Sequence, residues 1–306
     1  METDVEISWI AVDWGTTNLR VWLMDEAGRV VGQRASDAGM GSLSRDAFEP
    51  ALLALIGDVL RGDRVTPVLA CGMVGARQGW IEAPYVSVPC TPPGVEHAVT
   101  PPVSDPRVQV LILPGVSQAK PADVMRGEET QIAGFLALNP DFDGVLCLPG
   151  THTKWVHISA GEIVSFRTFM TGELFALLSG QSVLRHGFTD GDWEDAAFLE
   201  ALRDTLSRPE SLAADLFSIR AAGLLHDLPG PKARARVSGL LLGVELRGAR
   251  PYWLGQRVAV IGPAELSRLY EIALAEQGVT VERAKVDEVT LAGLKAAWAK
   301  ANGENA

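Results

Sequence analysis

Residues 10–22 of this chain read IAVDWGTTNLRVW, and the fold is organised around them. An apolar run ends in Asp13, small and hydroxyl-bearing residues follow, and apolar residues resume, which predicts two strands joined by a tight turn. Gly15 leaves the turn free of side-chain bulk, so its N–H groups can bind an anion beside the hydroxyls of Thr16 and Thr17. Asp13 could hold the Mg²⁺ that such an anion carries. An ordinary hairpin stays open, because Gly, Asn and Asp also favour turns.

A second copy of this pattern, LPGTHTKWVHI at 148–158, favours the anion-binding interpretation. Gly150 in the second copy stands at the position of Gly15 in the first, and the flanking apolar residues match at the same offset. Leu148 replaces Asp13, as expected if two turns bind phosphate but only one holds a metal. Each copy continues through a further turn into a third strand. The repeat therefore predicts two domains of the same kind.

The bulk composition narrows the class of protein. A length of 306 residues favours two domains, and 47% hydrophobic with 21% charged residues is typical of a globular protein. The net charge of −11 argues against nucleic acid or an anionic membrane as the partner, so an anionic substrate would need a locally positive site. No apolar run approaches the roughly 20 residues of a membrane span.

The cysteines and the first residues indicate a compartment. Cys71, Cys90 and Cys147 are odd in number and widely spaced, which favours reduced thiols over disulfides or zinc ligands. Residues 1–4 are acidic and lack the basic and apolar parts of a signal peptide. Both observations predict a cytoplasmic protein.

Hydrophobic periodicity and turn residues predict an α/β fold with two domains, 1–139 and 140–306, each a mixed sheet that opens with a hairpin and is flanked by helices. The boundary follows Asn139-Pro140, which ends a helix. Besides the two hairpins, strands are expected from Val30 and at 65–70, 108–113, 145–148, 162–169 and 257–261. Helices are expected at 44–60, with Ser44 as N-cap, and at 193–222, 237–247, 264–275 and 290–300. One further helix is expected to end at 138, and another to begin at 171.

The phosphate motifs resemble those of one superfamily. The chain has no G-x-x-x-x-G-K-[ST] loop, no G-x-G-x-x-G after a strand and no G-x-S-x-G elbow. DWGTTNLR resembles the first phosphate motif of the sugar kinase, actin and heat-shock-chaperone ATPases, GTHTKW the second, and VAVIGP the adenosine motif, where Pro263 replaces a more usual glycine. With GMVGARQGW, MRGEETQI and FMTGELFALL, the chain resembles the 2-dehydro-3-deoxygalactonokinase family over nearly its whole length.

That resemblance implies two ribonuclease-H-like domains around a central cleft, with sugar on the first domain, nucleotide on the second and a last helix that can pack back across the interface. ATP and Mg²⁺ are the implied cofactors, with Asp13 as the metal ligand and a catalytic residue. The implied nucleotide-binding residues are Gly15, Thr16, Thr17 and Asn18 in the first turn, Gly150, Thr151, Thr153 and Lys154 in the second, and Gly262 at the adenosine. His152 either contacts phosphate or is satisfied by the turn backbone.

A kinase also needs a base for the attacking hydroxyl. Glu128 and Glu129 open the helix that precedes the second hairpin, and several relatives in the superfamily keep an acid there. We favour Glu128 over Glu129, with Asp123 in reserve. The alternative is that both acids only stabilise the positive end of the helix dipole.

The implied substrate carries a carboxylate, which favours an arginine ligand. Arg77 and Arg126 are the two arginines that fit the motifs. The sugar pocket would be shaped by Gly72, Met73 and Gly75, with Trp80 as an apolar wall unless it is a core residue. Glu173, in Thr171-Gly172-Glu173, either reaches the substrate or belongs to a helix cap.

The sequence therefore predicts an ATP-dependent kinase acting on the 6-hydroxyl of 2-dehydro-3-deoxy-D-galactonate. The alternatives are the gluconate epimer or another sugar acid, a polyphosphate or nucleotide phosphatase of the same superfamily, and a non-catalytic sugar sensor. The expected partners are the sugar acid and ATP, without nucleic acid or membrane, and a homodimer is left open.

Overall fold

The computed structural model describes residues 6–303, which divide into two compact units. The first unit comprises Met1–Phe142, Ile158–Ser165 and Val286–Ala306, and the second comprises Asp143–His157 and Phe166–Lys285. The predicted boundary after residue 139 lies close to Phe142, and the terminal helix belongs to the first unit. The acidic residues 1–4 lie outside the described residues.

Strands and helices alternate along the chain as expected for an α/β protein. The strands are β1 (Trp9–Trp14), β2 (Leu19–Met24), β3 (Val30–Ser36), β4 (Thr66–Gly72), β5 (Tyr85–Ser87), β6 (Val108–Ile112), β7 (Gly115–Gln118), β8 (Asp123–Met125), β9 (Gly144–Leu148), β10 (Thr153–Ser159), β11 (Glu162–Phe169), β12 (Val258–Gly262) and β13 (Val281–Lys285). The helices are α1 (Phe48–Ile56), α2 (Glu128–Leu138), α3 (Thr171–Gly180), α4 (Asp195–Ser207), α5 (Leu212–Leu225), α6 (Gly230–Gly248), α7 (Arg250–Trp253), α8 (Ala264–Ala275) and α9 (Val286–Ala301).

The main sheet of the first unit has the strand order β3-β2-β1-β4-β6. β1 and β2 form the predicted antiparallel hairpin, in which Asp13 is opposite Arg20, and β4 runs parallel to β1 on its other side. β1 is buried along nearly all its length, from Trp9 to Val12, as a central strand covered on both faces must be. A small sheet, β5-β7-β8, is formed by strands that were not predicted from the sequence.

Helices α2 and α9 of the first unit cross with their backbones in contact. A Cβ atom added to Gly134 would lie 1.8 Å from the Val289 carbonyl oxygen, and one added to Gly293 would lie 1.9 Å from that of Thr130. Only glycine allows this approach. The crossing places the end of the chain against the helix that carries Glu128.

The second unit repeats the strand order of the first, β11-β10-β9-β12-β13. β9 and β12 are parallel, and so are β12 and β13. In each unit the first three strands of the repeat are neighbours in the sheet, and a crossover places the fourth strand beside the first. The duplicated fold predicted from the two Gly-Thr turns is confirmed. β13, whose strand residues are partly exposed and charged, was not predicted.

Four predicted helices differ from the structure in their limits, and one of them, expected at 237–247, is α6, which begins at Gly230. The helix expected at 44–60 is α1, which begins at Phe48 after a 3₁₀ turn and ends before Gly57, and Ser44 makes no side-chain cap. The helical region at 193–222 is two helices, because Pro209 begins a 3₁₀ turn between α4 and α5. The last helix starts earlier than expected, at Val286. Within residues 6–303, no helix combines the length and apolarity needed to cross a bilayer.

Candidate active site

The first Gly-Thr turn is braced from behind by residues 39–41. Gly15 N–H donates to the Asn18 carbonyl at 2.9 Å, while Met40 N–H and Gly41 N–H donate to the carbonyls of Gly15 and Thr16 at 3.0 and 2.8 Å. These bonds hold two carbonyls of the turn, and the side chains of Thr16, Thr17 and Asn18 are exposed. The turn is therefore rigid and presents its hydroxyls to solvent, as an anion site requires. The bracing residues carried no motif that sequence reasoning used.

Asp13, at the end of β1, is held by an arginine. Its Oδ2 accepts hydrogen bonds from Nε of Arg20 at 3.1 Å and from Nη2 of the same side chain, and Arg20 also pairs with Asp287 at the start of α9. The Asp13 side chain is 14% exposed. Oδ1 has a weak contact with the Cys71 thiol, whose Sγ lies 3.8 Å away. The carboxylate is thereby fixed through one oxygen.

Glu128 and Glu129 both fold back onto the chain before α2. Glu129 accepts the Gly127 N–H with both carboxylate oxygens at 2.8 Å, and Glu128 Oε2 accepts the Arg126 N–H at 3.1 Å. Glu129 is 1% exposed, and its burial, reinforced by the charge of Glu128, raises its pKa to about 8. Glu128 is only partly buried. The two carboxyl groups thus have different environments although they are adjacent.

Arg126 is a buried cation with unused donors. It is 8% exposed, its guanidinium lies 4.3 Å from the centroid of the Tyr85 ring, and Nη2 donates to the Ala83 carbonyl at 2.8 Å. Nε and Nη1 have no hydrogen-bond partner among the described residues. A Cβ atom on Gly75 would come within 3.0 Å of Nη1, so this glycine makes room for the guanidinium. Two buried, unsatisfied donors on a positive group favour an anionic ligand.

Glycines bring these groups together within the first unit. A Cβ atom on Gly72 would lie 3.4 Å from Asp13 Oδ1, and one on Gly127 would lie 3.3 Å from the Gly72 Cα atom. Gly72 and Gly127 both have positive φ, +90° and +101°, which suits glycine at these close approaches. The end of β1, the turn after β4 and the start of α2 therefore meet at one place.

The other residues predicted for the sugar site, and the reserve base Asp123, differ from Arg126 in their burial or their partners. Arg77 has an 80% exposed side chain and pairs with Glu82 at 3.4 Å. Trp80 is a core residue, 4% exposed and stacked on Phe48 with ring centroids 6.2 Å apart. Met73 is half-buried next to Gly72. Asp123 is in β8, where its carboxylate accepts the Val124 N–H at 2.9 Å.

The second Gly-Thr turn is in contact with the start of α3. A Cβ atom on Gly172 would lie 2.2 Å from the Gly150 carbonyl oxygen, and the Glu173 N–H donates to the Thr151 carbonyl at 2.9 Å. His152 Nε2 pairs with Glu173 Oε2 at 2.5 Å, so the histidine bonds to a carboxylate and not to the turn backbone. Of the alternatives for Thr171-Gly172-Glu173, the helix cap is wrong, because the N-cap is Met170 and no side chain caps α3.

Two residues of the second turn point away from solvent. Thr153 is 1% exposed, and its hydroxyl is bonded to the Tyr270 hydroxyl at 2.7 Å. Lys154 is 5% exposed, and its Nζ donates to the His152 carbonyl at 3.1 Å. Gly150 is half-buried and Thr151 exposed, so these two remain the accessible part of the predicted phosphate motif.

A cavity of about 410 Å³ opens beside the second turn, inside the second unit. This volume is within the range of small-molecule sites. Its wall combines apolar side chains with a few charged ones, and the indole N–H of Trp193, which lines it, has no hydrogen-bond partner among the described residues. The lining includes Gly150, Thr171, Gly172, Phe175, Asp190, Trp193, Arg234, Ser238, Leu241, Leu266, Arg268, Leu269 and Tyr270.

Most of this lining was missed by sequence reasoning, because its residues come from separate helices and the loop before α4. Gly262, predicted at the adenosine, packs against the turn, and a Cβ atom there would lie 3.2 Å from Pro149. It supports the end of β12 beside the cavity. A signal was present in TDGDW at 189–193, where a polar turn leads into a tryptophan before a helix.

Known proteins of one family match this chain over nearly its whole length. A family model described as 2-keto-3-deoxy-galactonokinase matches residues 13–297. A Rhizobium meliloti protein named as a 2-dehydro-3-deoxygalactonokinase is 38% identical over 94% of this chain and 96% of its own, and the Escherichia coli 2-dehydro-3-deoxygalactonokinase is 36% identical over the same shares. The crystal structure of a Sinorhizobium meliloti protein described by the same activity is 38% identical and superposes with a TM-score of 0.88, covering 96% of this chain and 99% of that one.

Proposed function

The chain belongs to the 2-keto-3-deoxy-galactonokinase family, and we propose that it transfers the γ-phosphate of ATP to the 6-hydroxyl of 2-dehydro-3-deoxy-D-galactonate. The relatives at 36–38% identity bear the name of this activity. The observation that carries the proposal is the buried guanidinium of Arg126, whose Nε and Nη1 lack partners among the described residues.

Arg126 is the proposed ligand of the sugar carboxylate. A carboxylate accepts strong, charge-assisted hydrogen bonds from a guanidinium, and Nε and Nη1 of this buried arginine each have an unused donor. Gly75 leaves space next to Nη1, and Tyr85 covers one face of the guanidinium. Arg77 cannot supply the same desolvated contact, because its side chain is exposed and pairs with Glu82. A neutral sugar could accept hydrogen bonds from Arg126 but would bring no negative charge to this buried cation.

Glu128 is the proposed base for the sugar hydroxyl. It is partly exposed, so it can contact a substrate, whereas Glu129 is enclosed and accepts the Gly127 N–H. At neutral pH the raised pKa of Glu129 keeps it largely protonated, which spares Glu128 a second adjacent negative charge. Glu128 and the carboxylate ligand Arg126 are separated by one residue. The transferred proton would pass from the hydroxyl to Glu128 as the phosphoryl group arrives.

The cavity of the second unit is the proposed site of the adenosine. Apolar walls suit a base, and the free indole N–H of Trp193 offers a donor to one of its nitrogens or to the ribose. The cavity begins at Gly150 and the start of α3, so a nucleotide held there would have its phosphates at the second turn. Thr151 is the accessible hydroxyl at that turn.

Mg²⁺ is the proposed metal, with Asp13 as its ligand from the protein. No group of three or more His, Cys, Asp or Glu side chains that could hold a metal is present among residues 6–303. A single carboxylate still fits Mg²⁺, which binds proteins through one or two carboxylates and completes its shell with phosphate oxygens and water. Oδ1 of Asp13 has a weak contact with the Cys71 thiol, at 3.8 Å. The ion supplies neutralisation of phosphate charge when bound.

Steady-state kinetics with Mg²⁺, ATP and the sugar acid test the proposal. Arg126→Met should raise KM for the sugar acid about a hundredfold, because charge-assisted hydrogen bonds are lost, while KM for ATP stays unchanged. The matched control is Arg107→Met, since Arg107 of the same unit is committed to Asp105 at 2.7 Å. An unchanged KM for the sugar acid in Arg126→Met would contradict the assignment.

Two expectations accompany this function. The three cysteines are free thiols, which supports a proposed cytoplasmic location. The homodimer stays a prediction.

A further inference from the structure

A buried carboxyl group in the second unit is bonded to residues that line the cavity. Glu245, on α6, is 1% exposed. Its Oε1 accepts the indole N–H of Trp155 at 2.9 Å, and its Oε2 accepts the hydroxyl of Tyr270 at 2.9 Å and that of Thr171. These donors lie on β10, α8 and α3, so one side chain ties three other elements to α6.

Each of these elements supports the second turn or the cavity beside it. Thr171 precedes Gly172, whose backbone touches the Gly150 carbonyl. Trp155 is in β10, which leads directly out of the turn. Tyr270 lines the cavity and is also bonded to Thr153 of the turn. The hydrogen bonds of Glu245 therefore end at the elements that form the proposed phosphate and adenosine sites.

Burying the Glu245 carboxyl group costs free energy that an apolar side chain at the same position would not cost. Burial raises the pKa of Glu245 to about 7, and the hydrogen bonds from Thr171, Trp155 and Tyr270 partly counter this effect. A buried carboxyl group is usually no more stabilising than an apolar side chain of the same size. Its advantage is geometric, because a carboxylate can accept several donors from different directions at once.

We propose that Glu245 is a positioning residue for nucleotide binding, which fixes the second turn and the start of α3 in one arrangement through its hydrogen bonds to Trp155, Thr171 and Tyr270. It touches no substrate. The inference rests on the proposed function, because it assumes that the turn and cavity hold the nucleotide. Loss of the carboxyl group would let the turn and the wall of the cavity move independently.

Titration with ADP alone tests this role directly. Glu245→Ala should weaken ADP binding about tenfold, since small misplacements of a binding group are costly, while KM for the sugar acid stays unchanged. Glu245→Gln should bind ADP within about threefold of the wild type, because its amide oxygen can accept from Trp155 while its amino group bonds to the Thr171 and Tyr270 hydroxyls.

Thr205→Val separates positioning from loss of stability. The Thr205 hydroxyl is fully buried in the same unit and donates to the Leu240 carbonyl of α6 at 3.0 Å, but it bonds to neither the turn nor α3. This variant should lose thermal stability and keep the ADP affinity of the wild type. If Glu245→Ala does not fold, Thr171→Val and Trp155→Phe each remove one donor and should each weaken ADP binding at least threefold, by the loss of one buried hydrogen bond.

The outcomes separate the two proposals. ADP binding to the wild type, with unchanged affinity in Glu245→Ala or in both single-donor variants, would overturn the positioning role alone. Failure of Glu245→Gln to restore affinity would overturn it too. A wild-type protein that does not bind ADP would instead contradict the proposed nucleotide site, whatever the variants do.

Discussion

Arg20 donates two hydrogen bonds to the same carboxylate oxygen of Asp13, Oδ2, from Nε and Nη2. The two residues are opposite each other in the β1–β2 hairpin, so the pairing follows from the strand register. Arg20 also pairs with Asp287 of α9, and this second acid partly offsets the positive charge of Arg20 beside Asp13. The hairpin thus places a carboxylate with Oδ2 fixed by Arg20 and Oδ1 weakly in contact with the Cys71 thiol.

The first prediction concerns Asp13 itself. Asp13→Asn keeps the size of the side chain and one acceptor oxygen but removes the negative charge that a Mg²⁺ ion needs. We expect kcat to fall at least about a hundredfold at saturating ATP and sugar acid, with thermal stability changed little. Turnover over a Mg²⁺ series measures the effect. Wild-type turnover in a folded Asp13→Asn protein would remove Asp13 from the metal site.

The second prediction concerns pH and Glu129. Its pKa in the folded protein, about 8, is above the ordinary value of 4.5, so the folded state retains a proton that the unfolded state has released. The stability from this group is complete below pH 4.5 and is lost as pH rises through 8.

Glu129→Gln cannot ionise, so its unfolding free energy relative to that of the wild type should increase by about 4 kcal/mol between pH 4.5 and pH 8.5. Urea unfolding at pH 4.5, 6.5 and 8.5 measures the difference, and the pH 4.5 data provide the internal control. A difference that is the same at every pH would show that Glu129 does not titrate in this range.

The third prediction concerns the crossing of α2 and α9. Gly134→Ala would place a methyl group 1.8 Å from the Val289 carbonyl oxygen, so the helices must separate. We expect a loss of about 3 kcal/mol in unfolding free energy, seen as a lower Tm in calorimetry.

Gly223→Ala is the matched control for this change, because a methyl group on Gly223 in α5 meets nothing within 4 Å. It should be neutral or stabilising by up to about 1 kcal/mol, as expected for alanine in place of a helical glycine. Equal effects of the two substitutions would mean that α2 and α9 do not cross as described.

The fourth prediction concerns the cavity. Trp193→Phe keeps the aromatic ring but removes the indole N–H that has no partner among the described residues. We expect KM for ATP to rise about three- to tenfold through loss of one hydrogen bond, with KM for the sugar acid unchanged.

Trp253→Phe in the same unit is the control, since its indole N–H is bonded to the Leu246 carbonyl at 2.8 Å inside the core. It should lower stability and leave KM for ATP as it was. If both tryptophan variants keep the KM of the wild type, the adenosine does not contact Trp193.

The sequence predicted those parts of the site that depend on local patterns. The two Gly-Thr turns were found because the chain repeats them, and the acids at the start of α2 because they follow a glycine and precede an apolar helix. Arg126 was found for its residue type, but its burial and its stacking on Tyr85 depend on a small sheet that the sequence did not predict.

Features built from distant segments could not be predicted in this way. The cavity is assembled from α3, α6, α8 and the loop before α4, and no periodicity links them. Glu245 lies in a helix two residues before Arg247, where an acid ordinarily faces solvent, and only the packing of β10, α3 and α8 shows that it is buried. Trp80 could be a pocket wall or a core residue until its stacking on Phe48 was seen.

The preference for an acid over a neutral sugar tests the central claim most directly. We would measure kcat/KM of the wild type and of Arg126→Met with ATP and Mg²⁺, using 2-dehydro-3-deoxy-D-galactonate and its analogue with the carboxylate replaced by a carboxamide. The wild type should prefer the acid by about a hundredfold, and Arg126→Met should lose most of that preference. No phosphoryl transfer to the acid by the wild type, or an undiminished preference in Arg126→Met, would contradict the account.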